Sequence, residues 1–455
     1  MAGLRVRLHD DVRVGQGLTR GARMLRLDPR ARDLLRQREV DASSPLGEAL
    51  VARLLDLDLA VPILTQDGPF SLADVTVVVP VRDRAAGVDR LLARLGGRLA
   101  CVVVDDASRD SAALAAVVAR HGADLVRLPV NVGPAAARNV GLRRVTTPLV
   151  AFVDSDVAAD PADLEALLPH FVDPALAAVA PRVWAEAGAR WFQRYERSAG
   201  GLDLGPVPAA VRPWSAVAYV PSACLVARVD RLGGGFDGGL RSGEDVDLVW
   251  RLLSGGHRVR HEPGVVVAHE QRPTVRGWLG RQLFYGTSAA PLAQRHDTQV
   301  APAVLTPLQA ALLVSVPLSR GRGRWSTVAL AAVVAGQVWR HASGEPAPER
   351  ARLAVAALGG TSRQGAGLVL RHAAPLTIAL ALVSRRVRRT VMVVAVAEGL
   401  AAWSDGDRQT DPLTFVAARR ASDVAYGSGV WWGAARHRML GALLPHVVRR
   451  PRRRS

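Results

Sequence analysis

The chain has 455 residues, which is too long for one ordinary domain and enough for two or three. With 49% hydrophobic and 22% charged residues it can bury a core, so disorder throughout is excluded. The two cysteines, Cys101 and Cys224, exclude a disulfide framework and a cysteine-ligated zinc site. The first residues lack the apolar run of a secretory signal, so we expect a cytoplasmic protein.

The net charge of +18 is compatible with three kinds of partner: nucleic acid, an anionic membrane surface or a phosphorylated small molecule. Aromatic residues make up only 5% of the chain, and the sequence contains no recognisable zinc-finger, RNP or helix-turn-helix signature. Nucleic acid is therefore not an expected partner. The charge is spread out except in the tail at 449–455, which is either solvated or in contact with membrane headgroups.

Residues 1–70 are predicted to form a small winged-helix-like module. The stretch RVRLHDDVRV alternates like a pair of strands, and RMLRL indicates another strand. One helix is expected over ARDLLRQ after Pro29, and a second over PLGEALVARLLDL, capped by Ser43 or Ser44. Residues 62–69 are typical of a linker.

Residues 71–300 are predicted to form an α/β domain with a mostly parallel sheet. Short apolar runs alternate there with helical patterns: the runs are VTVVVPV (75–81), ACVVVDD (100–106), ADLVRL (123–128) and PLVAFVD (148–154), and the helical patterns are at 86–96, 110–121 and 134–145. Ligands of such sheets bind beyond the carboxyl ends of the strands, which is where functional residues are expected.

Residues 301–455 are predicted to be helical, apolar and rich in arginine. The uncharged runs at 326–339 and 373–384 are shorter than the roughly 20 residues that a membrane-spanning helix needs. We expect buried helices or amphipathic helices in the membrane plane rather than spanning ones.

The motif Asp154-Ser155-Asp156 follows the apolar run PLVAFV and is a candidate metal site. In an extended segment, residues i and i+2 point the same way, so the two carboxylates converge at the edge of the sheet. Carboxylate oxygens suit Mg²⁺ or Mn²⁺, and such an ion would bind a diphosphate. The alternative is a turn in which the aspartates act only as caps.

Two further features flank this edge. Asp105-Asp106 follows the second strand and could hold the base or ribose of a nucleotide. The alternative is that part of this acidic segment is structural, since Ser108 or Asp110 could cap the next helix. Arg138 lies one turn into the helical pattern at 134–145 and could pair with a phosphate; the alternative is a solvated helix arginine.

The segment 233–252, which begins with several glycines, contains a candidate catalytic base. Ser242 could cap a helix whose first turns carry Glu244, Asp245 and Asp247. The helix dipole favours acids there in any case. As a general base acting on an acceptor hydroxyl, Asp245 would contribute roughly 10²–10⁴-fold to the rate.

His269 follows the apolar run VVVA and could add a nitrogen ligand to a metal at Asp156, or could simply be a hydrogen-bonded residue. With His257 and His261 it could imitate a zinc set, but no cysteine supports one, so zinc is not expected.

These pieces, in this order, resemble the family 2 glycosyltransferases of the GT-A fold. The resemblance spans about 200 residues and includes VVVPVRDR (77–84), VVVDDASRD (102–110), NVGPAAARNVGL (131–142), AFVDSD (151–156), GGFDGGLRSGEDVDLVWRL (234–252) and VVVAH (265–269). It implies an inverting transfer of a sugar from a nucleotide-diphosphate donor, with Mg²⁺ or Mn²⁺ as cofactor.

The resemblance also implies roles on the nucleotide side. Pro80, Arg82, Asp83 and Arg84 would line the nucleotide pocket, although members of the family often have Asn-Glu where this chain has Arg-Asp-Arg. Asp105 or Asp106 would hold the base, Asp154 would face the ribose with Ser155 beside it, and Asp156 would bind metal and diphosphate.

On the acceptor side the resemblance makes Asp245 the catalytic base, next to Glu244. Arg281, in RGWLGRQLFYG (276–286), would touch the diphosphate or the acceptor. Arg138 or Arg281 would stabilise the charge on the departing nucleotide.

The chain combines the amino-terminal module, the GT-A-like core, the segment RQLFYGTSAAPLAQRH (281–296) and a hydrophobic carboxyl-terminal third. In this pattern the whole chain is similar to the glycosyltransferases of mycofactocin biosynthesis. This similarity implies a UDP-glucose donor, a peptide-derived redox cofactor as acceptor, a β-linked oligosaccharide product and a peptide-recognition role for residues 1–70. The hydrophobic carboxyl-terminal third leaves an alternative open, in which a membrane-associated enzyme on the inner face acts on a lipid or polysaccharide.

Overall fold

The computed structural model describes residues 4–15, 17–21, 23–35, 37–64, 68–318 and 323–448. The chain divides into two compact units. The first contains Met1–Arg7 and Arg36–Pro273, and the second contains Leu8–Leu35 and Thr274–Ser455. The division into segments at 1–70, 71–300 and 301–455 stays a prediction.

The strands are β1 (Arg5–Leu8), β2 (Arg13–Val14), β3 (Gly17–Arg20), β4 (Arg23–Arg26), β5 (Glu39–Asp41), β6 (Ala60–Pro62), β7 (Val75–Val81), β8 (Ala100–Asp105), β9 (Asp124–Arg127), β10 (Leu149–Val153), β11 (Val157–Ala158), β12 (Leu176–Ala185), β13 (Ala209–Ala210), β14 (Cys224–Arg228), β15 (Arg258–His269), β16 (Val304–Leu305) and β17 (His446–Val447).

The α-helices are α1 (Pro29–Asp33), α2 (Pro45–Asp56), α3 (Ala85–Leu95), α4 (Ser111–Arg120), α5 (Pro134–Leu142), α6 (Pro161–Leu167), α7 (Trp191–Ala199), α8 (Glu244–Ser254), α9 (Val275–Gly286), α10 (Ala289–His296), α11 (Pro307–Leu318), α12 (Gly323–His341), α13 (Ala347–Gly367), α14 (Ala374–Val383), α15 (Arg385–Asp405) and α16 (Pro412–His437).

The first unit is built on a mixed sheet in the order β11-β15-β12-β14-β10-β7-β8-β9, with β13 paired to β15. The predicted strands at 75–81, 100–106, 123–128 and 148–154 are confirmed as β7, β8, β9 and β10, and these four run parallel. The sheet is not parallel throughout, because β14 pairs antiparallel with both β10 and β12.

Helix α3 shows how this sheet is covered. Its Val88, Leu91, Leu92 and Leu95 are buried in the same cluster as four of the five valines of β7. Each fully buried side chain of this kind contributes roughly 1.5–3 kcal/mol. The helix ends at Gly96, whose φ of 58° is the left-handed geometry that glycine adopts without strain.

The register of the parallel strands brings the predicted site residues to one edge. Val81 lies opposite Asp105, and Phe152 lies opposite Val78. The segments that follow β7, β8 and β10 therefore leave the sheet side by side.

The amino-terminal strands are confirmed, but the predicted pairing within RVRLHDDVRV is wrong. Strand β1 pairs with β5 in a sheet of the order β5-β1-β6, whereas β2 pairs with β3. Helix α2 begins at the predicted cap, since the Ser44 hydroxyl accepts a hydrogen bond from Gly47 N at 3.1 Å. The winged-helix-like character of residues 1–70 stays a prediction.

In the second unit, the β2-β3-β4 sheet is held by two buried carboxylates. Glu345 accepts a hydrogen bond from Gly17 N at 3.0 Å, and Glu349 of α13 accepts one from the Thr19 hydroxyl at 2.9 Å. Arg13 also pairs with Glu349 at 2.9 Å. These contacts explain why residues 8–35 group with the helices of the second unit.

Within the described part of the chain, no helix taken alone has both the length and the apolar composition needed to cross a bilayer. The pair Ala347–His372 and Ala374–Val383 meets both conditions jointly, with a bend of 82° between its members. The basic tail at 449–455 lies outside the described residues.

Candidate functional site

The Asp154-Ser155-Asp156 turn lies at the carboxyl end of β10, at the edge of the sheet. The Asp154 amide donates a hydrogen bond to the Ala223 carbonyl at 2.9 Å, which fixes the start of the turn. Ser155 is buried, and its carbonyl oxygen would lie 2.4 Å from a Cβ added at Gly87. Helix α3 thus approaches the turn so closely that only glycine fits at residue 87.

Asp156 lies beside His269, and their shared metal stays a prediction. The antiparallel pair β11–β15 sets Val157 opposite His269, and Asp156 Oδ1 is 3.5 Å from His269 Nε2. Both side chains are partly exposed. The described residues hold no group of three or more histidine, cysteine, aspartate or glutamate side chains suited to a metal. A carboxylate and an imidazole fit Mn²⁺ or Mg²⁺ only if substrate oxygens or water complete the shell.

Arg138 is the buried centre of the site, with 3% of its surface exposed. One terminal nitrogen, Nη2, donates to Asp154 Oδ1 at 2.6 Å, and the other, Nη1, donates to Glu244 Oε1 at 3.0 Å. The guanidinium also lies 5.3 Å from the centre of the Phe236 ring. The predicted phosphate ligand therefore has two protein carboxylates as its partners in this structure.

Helix α8 presents the candidate base at its first turn. Its N-cap is Gly243, with φ of 78°, and not the predicted Ser242. Burial, followed by the negative charge of Glu244, raises the pKa of the Asp245 carboxyl to about 7. A carboxyl with such a pKa can accept a proton near neutral pH, as a general base must.

The loop before α8 is anchored by Asn139, a residue that the sequence analysis missed. Its amide side chain donates to the Phe236 carbonyl at 2.7 Å and accepts from the Phe236 amide at 2.8 Å. Gly235 has φ of 74°, and an added Cβ would lie 2.3 Å from Asn139 Oδ1. The only sequence signal for this contact was the run of glycines itself.

Asp105 and Asp106 are both buried and bind backbone and hydroxyl groups of the surrounding loops. Asp105 accepts from the Ser108 amide at 2.9 Å and from the Ser111 hydroxyl at 2.8 Å. Asp106 accepts from the amides of Val132 and Gly133 at 2.7 and 2.9 Å. The pair therefore shapes the loops that enter α4 and α5, and Asp110 caps α4.

The four predicted nucleotide-pocket residues at the end of β7 and just after it lie in different environments. Pro80 is half-buried on the strand and Arg82 is exposed. Asp83, with φ of 57°, accepts from the Arg109 amide at 2.8 Å, and this bond holds the pKa of its carboxyl below the ordinary value. Arg84 forms an ion pair with a residue that the sequence analysis missed, Glu270.

Arg281 belongs to α9 in the second unit. Its guanidinium lies 5.5 Å from the centre of the Tyr285 ring.

Comparison with known proteins gives matches in sequence and in structure. A family model described as Glycosyl transferase family 2 matches residues 76–228. A mannosyltransferase from Pyrobaculum calidifontis, solved with GDP-Man and Mn²⁺, is 18% identical and covers 72% of this chain and 87% of its own, with a TM-score of 0.39. Glucosyl-3-phosphoglycerate synthase from Mycobacterium tuberculosis, solved with Mn²⁺, UDP-glucose and phosphoglyceric acid, is 20% identical and covers 48% of this chain and 79% of its own, with a TM-score of 0.36.

The predicted GT-A fold is confirmed for the first unit, whose sheet contains the family match. A relative named Pre-mycofactocin glycosyltransferase, from Mycobacterium tuberculosis, is 41% identical over 465 residues. The alignment covers 98% of this chain and 98% of the relative. Because an identity of this level extends over nearly the whole of both chains, the protein belongs to the pre-mycofactocin glycosyltransferases, within glycosyltransferase family 2.

Proposed function

We propose that the protein transfers glucose from UDP-glucose to a peptide-derived redox cofactor, the mycofactocin precursor, with inversion at the anomeric carbon. Repeated transfer would build a β-linked oligosaccharide. The reaction takes place in the cytoplasm. The acceptor and the pathway are supported by the near full-length relative, whose name specifies pre-mycofactocin.

The observation that carries the proposed chemistry is the double contact of Arg138. By binding Asp154 at the end of β10 and Glu244 at the start of α8, it ties the helix that carries Asp245 to the sheet edge that carries the predicted donor residues. Ligands of open α/β sheets bind beyond this edge. An acceptor hydroxyl at Asp245 would thus be close to a donor held by the Asp154–Asp156 turn.

The reaction is a single displacement. Asp245 takes the proton of the acceptor hydroxyl while that oxygen forms a bond to the anomeric carbon. The bond from this carbon to the diphosphate oxygen breaks, and UDP leaves with the electron pair. Because the acceptor oxygen attacks the face opposite the leaving group, an α-linked donor gives a β-linked product.

The charge that develops on UDP needs stabilisation by cations. Asp156 and His269 would hold Mg²⁺ or Mn²⁺, which when bound neutralises charge on the diphosphate. Arg138 contributes a permanent charge: burial alone would lower the pKa of its guanidinium, but the negative charges of Asp154 and Glu244 raise that pKa above its ordinary value and keep the group protonated. The carboxylates also limit how far Arg138 can move toward a phosphate.

The test combines the purified protein with UDP-glucose, Mn²⁺ and the mycofactocin precursor, and follows the acceptor by mass spectrometry. Successive hexose additions are expected, with β configuration by proton NMR of the product. An unchanged precursor, together with transfer to a lipid extract, would reject the proposed acceptor in favour of the lipid alternative. A product with α-linkages would reject the single displacement.

A further inference from the structure

We propose that α14 and the first half of α15 form a docking surface for a membrane that carries anionic lipids. This surface consists of Leu376, Ile378, Leu380, Leu382 and Val383 on α14, and of Arg385, Arg389, Met392, Val393 and Val396 on α15. It lies within the second unit and makes no use of the donor or acceptor residues.

Helix α14 has an exposed side that is entirely apolar. All of its residues are described, and its one polar residue, Thr377, is turned inward, where its hydroxyl donates to the Val369 carbonyl at 2.8 Å. A helix at a surface that faces water normally has a polar outer face. Here the outer face carries leucine, isoleucine and valine, and exposure rises to 76% at Leu382 and 84% at Val383.

Helix α15 continues this surface with arginines and then with apolar residues. Ser384 separates the two helices and caps α15. Arg385, Arg389, Met392 and Val396 follow one another at spacings of three or four residues, so they share one face of the helix. All four are exposed. The most exposed apolar residues of α14 are thus followed directly in the chain by the arginine cluster of α15.

The local charge selects an anionic partner. Residues 350–397 contain eight arginines and no aspartate or glutamate. An exposed apolar patch marks an interaction surface, and arginines next to such a patch are attracted to anionic headgroups. The combination matches an interfacial membrane contact, in which apolar side chains enter the headgroup boundary and arginines remain among the phosphates.

The experiment measures co-sedimentation of the full chain with two kinds of vesicle, phosphatidylcholine alone and an equimolar mixture with phosphatidylglycerol. The protein should sediment with the anionic vesicles and only weakly with the neutral ones, and added salt should reduce binding. Each arginine near an anionic surface contributes about five-fold to the affinity. The double variant Arg385→Gln/Arg389→Gln should therefore bind anionic vesicles about 25-fold more weakly. Leu382→Ser/Val383→Ser should lose at least about ten-fold.

Matched controls are Arg143→Gln/Arg144→Gln, which removes two exposed arginines of the first unit, and Val207→Ser, which removes an exposed valine there. Both should bind like the unaltered protein. The proposal is overturned if the unaltered protein ignores anionic vesicles or if both surface variants bind as it does. It is also overturned if ultracentrifugation without lipid shows a dimer that these variants dissociate. Transfer to a water-soluble acceptor should be unchanged in all four variants, which separates this test from that of the proposed function.

Discussion

Asp154 and Glu244 accept hydrogen bonds from opposite ends of one buried guanidinium, at 2.6 and 3.0 Å. Asp154 directly follows the strand β10, and Glu244 begins the helix α8. Their common partner, Arg138, therefore joins the donor side of the site to the helix that carries the candidate base.

Replacing Arg138 by Met should destabilise the protein by about 3 kcal/mol, since two carboxylates lose the cation between them. We expect a value at the low end of the range for buried pairs because Asp154 is 30% exposed. The stability of Arg138→Lys should lie between those of Arg138→Met and the unaltered protein, because a single ammonium group cannot reproduce both hydrogen bonds of the guanidinium. Urea denaturation measures the change, with the exposed Arg143→Met as the control. Equal midpoints for Arg138→Met and the unaltered protein would contradict the prediction.

The Asp245→Asn variant should lose roughly 10²–10⁴-fold in transfer rate while it still binds UDP-glucose. The amide keeps the shape of the side chain but cannot take a proton. Initial rates and calorimetric titration with UDP-glucose measure the two properties. Asp230→Asn, an exposed aspartate, is the control and should leave both unchanged. Full turnover by Asp245→Asn would remove it from the role of base.

The transfer rate should rise with pH through about 7, because Asp245 acts as a base only when it is ionised and its pKa is raised to about 7. Glu244→Gln removes a negative charge that raises this pKa, so Asp245 should ionise at lower pH. The acid limb of the pH profile should therefore shift to lower pH. The measurement is the pH dependence of kcat/KM. An acid limb that stays in place in Glu244→Gln would show that another group controls it.

Asp156→Ala and His269→Ala should each weaken the binding of UDP-glucose in the presence of Mn²⁺, by about 10-fold or more if the metal ligand set depends on them. In the presence of EDTA the variants and the unaltered protein should bind alike. Glu165→Ala, an exposed residue of α6, is the matched control. Donor binding that is indifferent to EDTA in the unaltered protein would refute the metal site.

Gly235→Ala should reduce both stability and transfer, whereas Gly234→Ala should be tolerated. At Gly235, φ is 74° and a Cβ would lie 2.3 Å from Asn139 Oδ1; at Gly234, nothing lies within 4 Å of an added Cβ. The strained backbone alone costs about 1–2 kcal/mol. Thermal unfolding and initial rates of the two variants decide the matter. Equal behaviour would mean that the loop does not depend on the Asn139 contact.

The α/β core was predictable because its signals are local. Short apolar runs separated by helical patterns located β7, β8, β9 and β10 to within a few residues. The pairing of β1 and β2 was mispredicted for the opposite reason: alternation identifies strands but does not identify their partners. In the folded chain β1 pairs with β5, and β2 pairs with β3.

Contacts between side chains that are far apart in the sequence could not be predicted from the sequence either. A nucleotide contact of Asp105 or Asp106 stays a prediction, whereas the hydrogen bonds that their oxygens accept from the loops entering α4 and α5 appear only in the structure. The Arg84–Glu270 ion pair and the Asn139 anchor join segments that no local pattern connects. Such contacts depend on the order of strands in the sheet.

The sequence by itself determined which segments form the sheet and that acidic residues follow its strands, because hydrophobic periodicity and chain order are properties of the sequence alone. Tertiary structure decided that Arg138 joins Asp154 to Glu244 and that Asp245 has a pKa near 7. Both depend on burial and on distances between side chains far apart in the sequence, which only the packed chain defines.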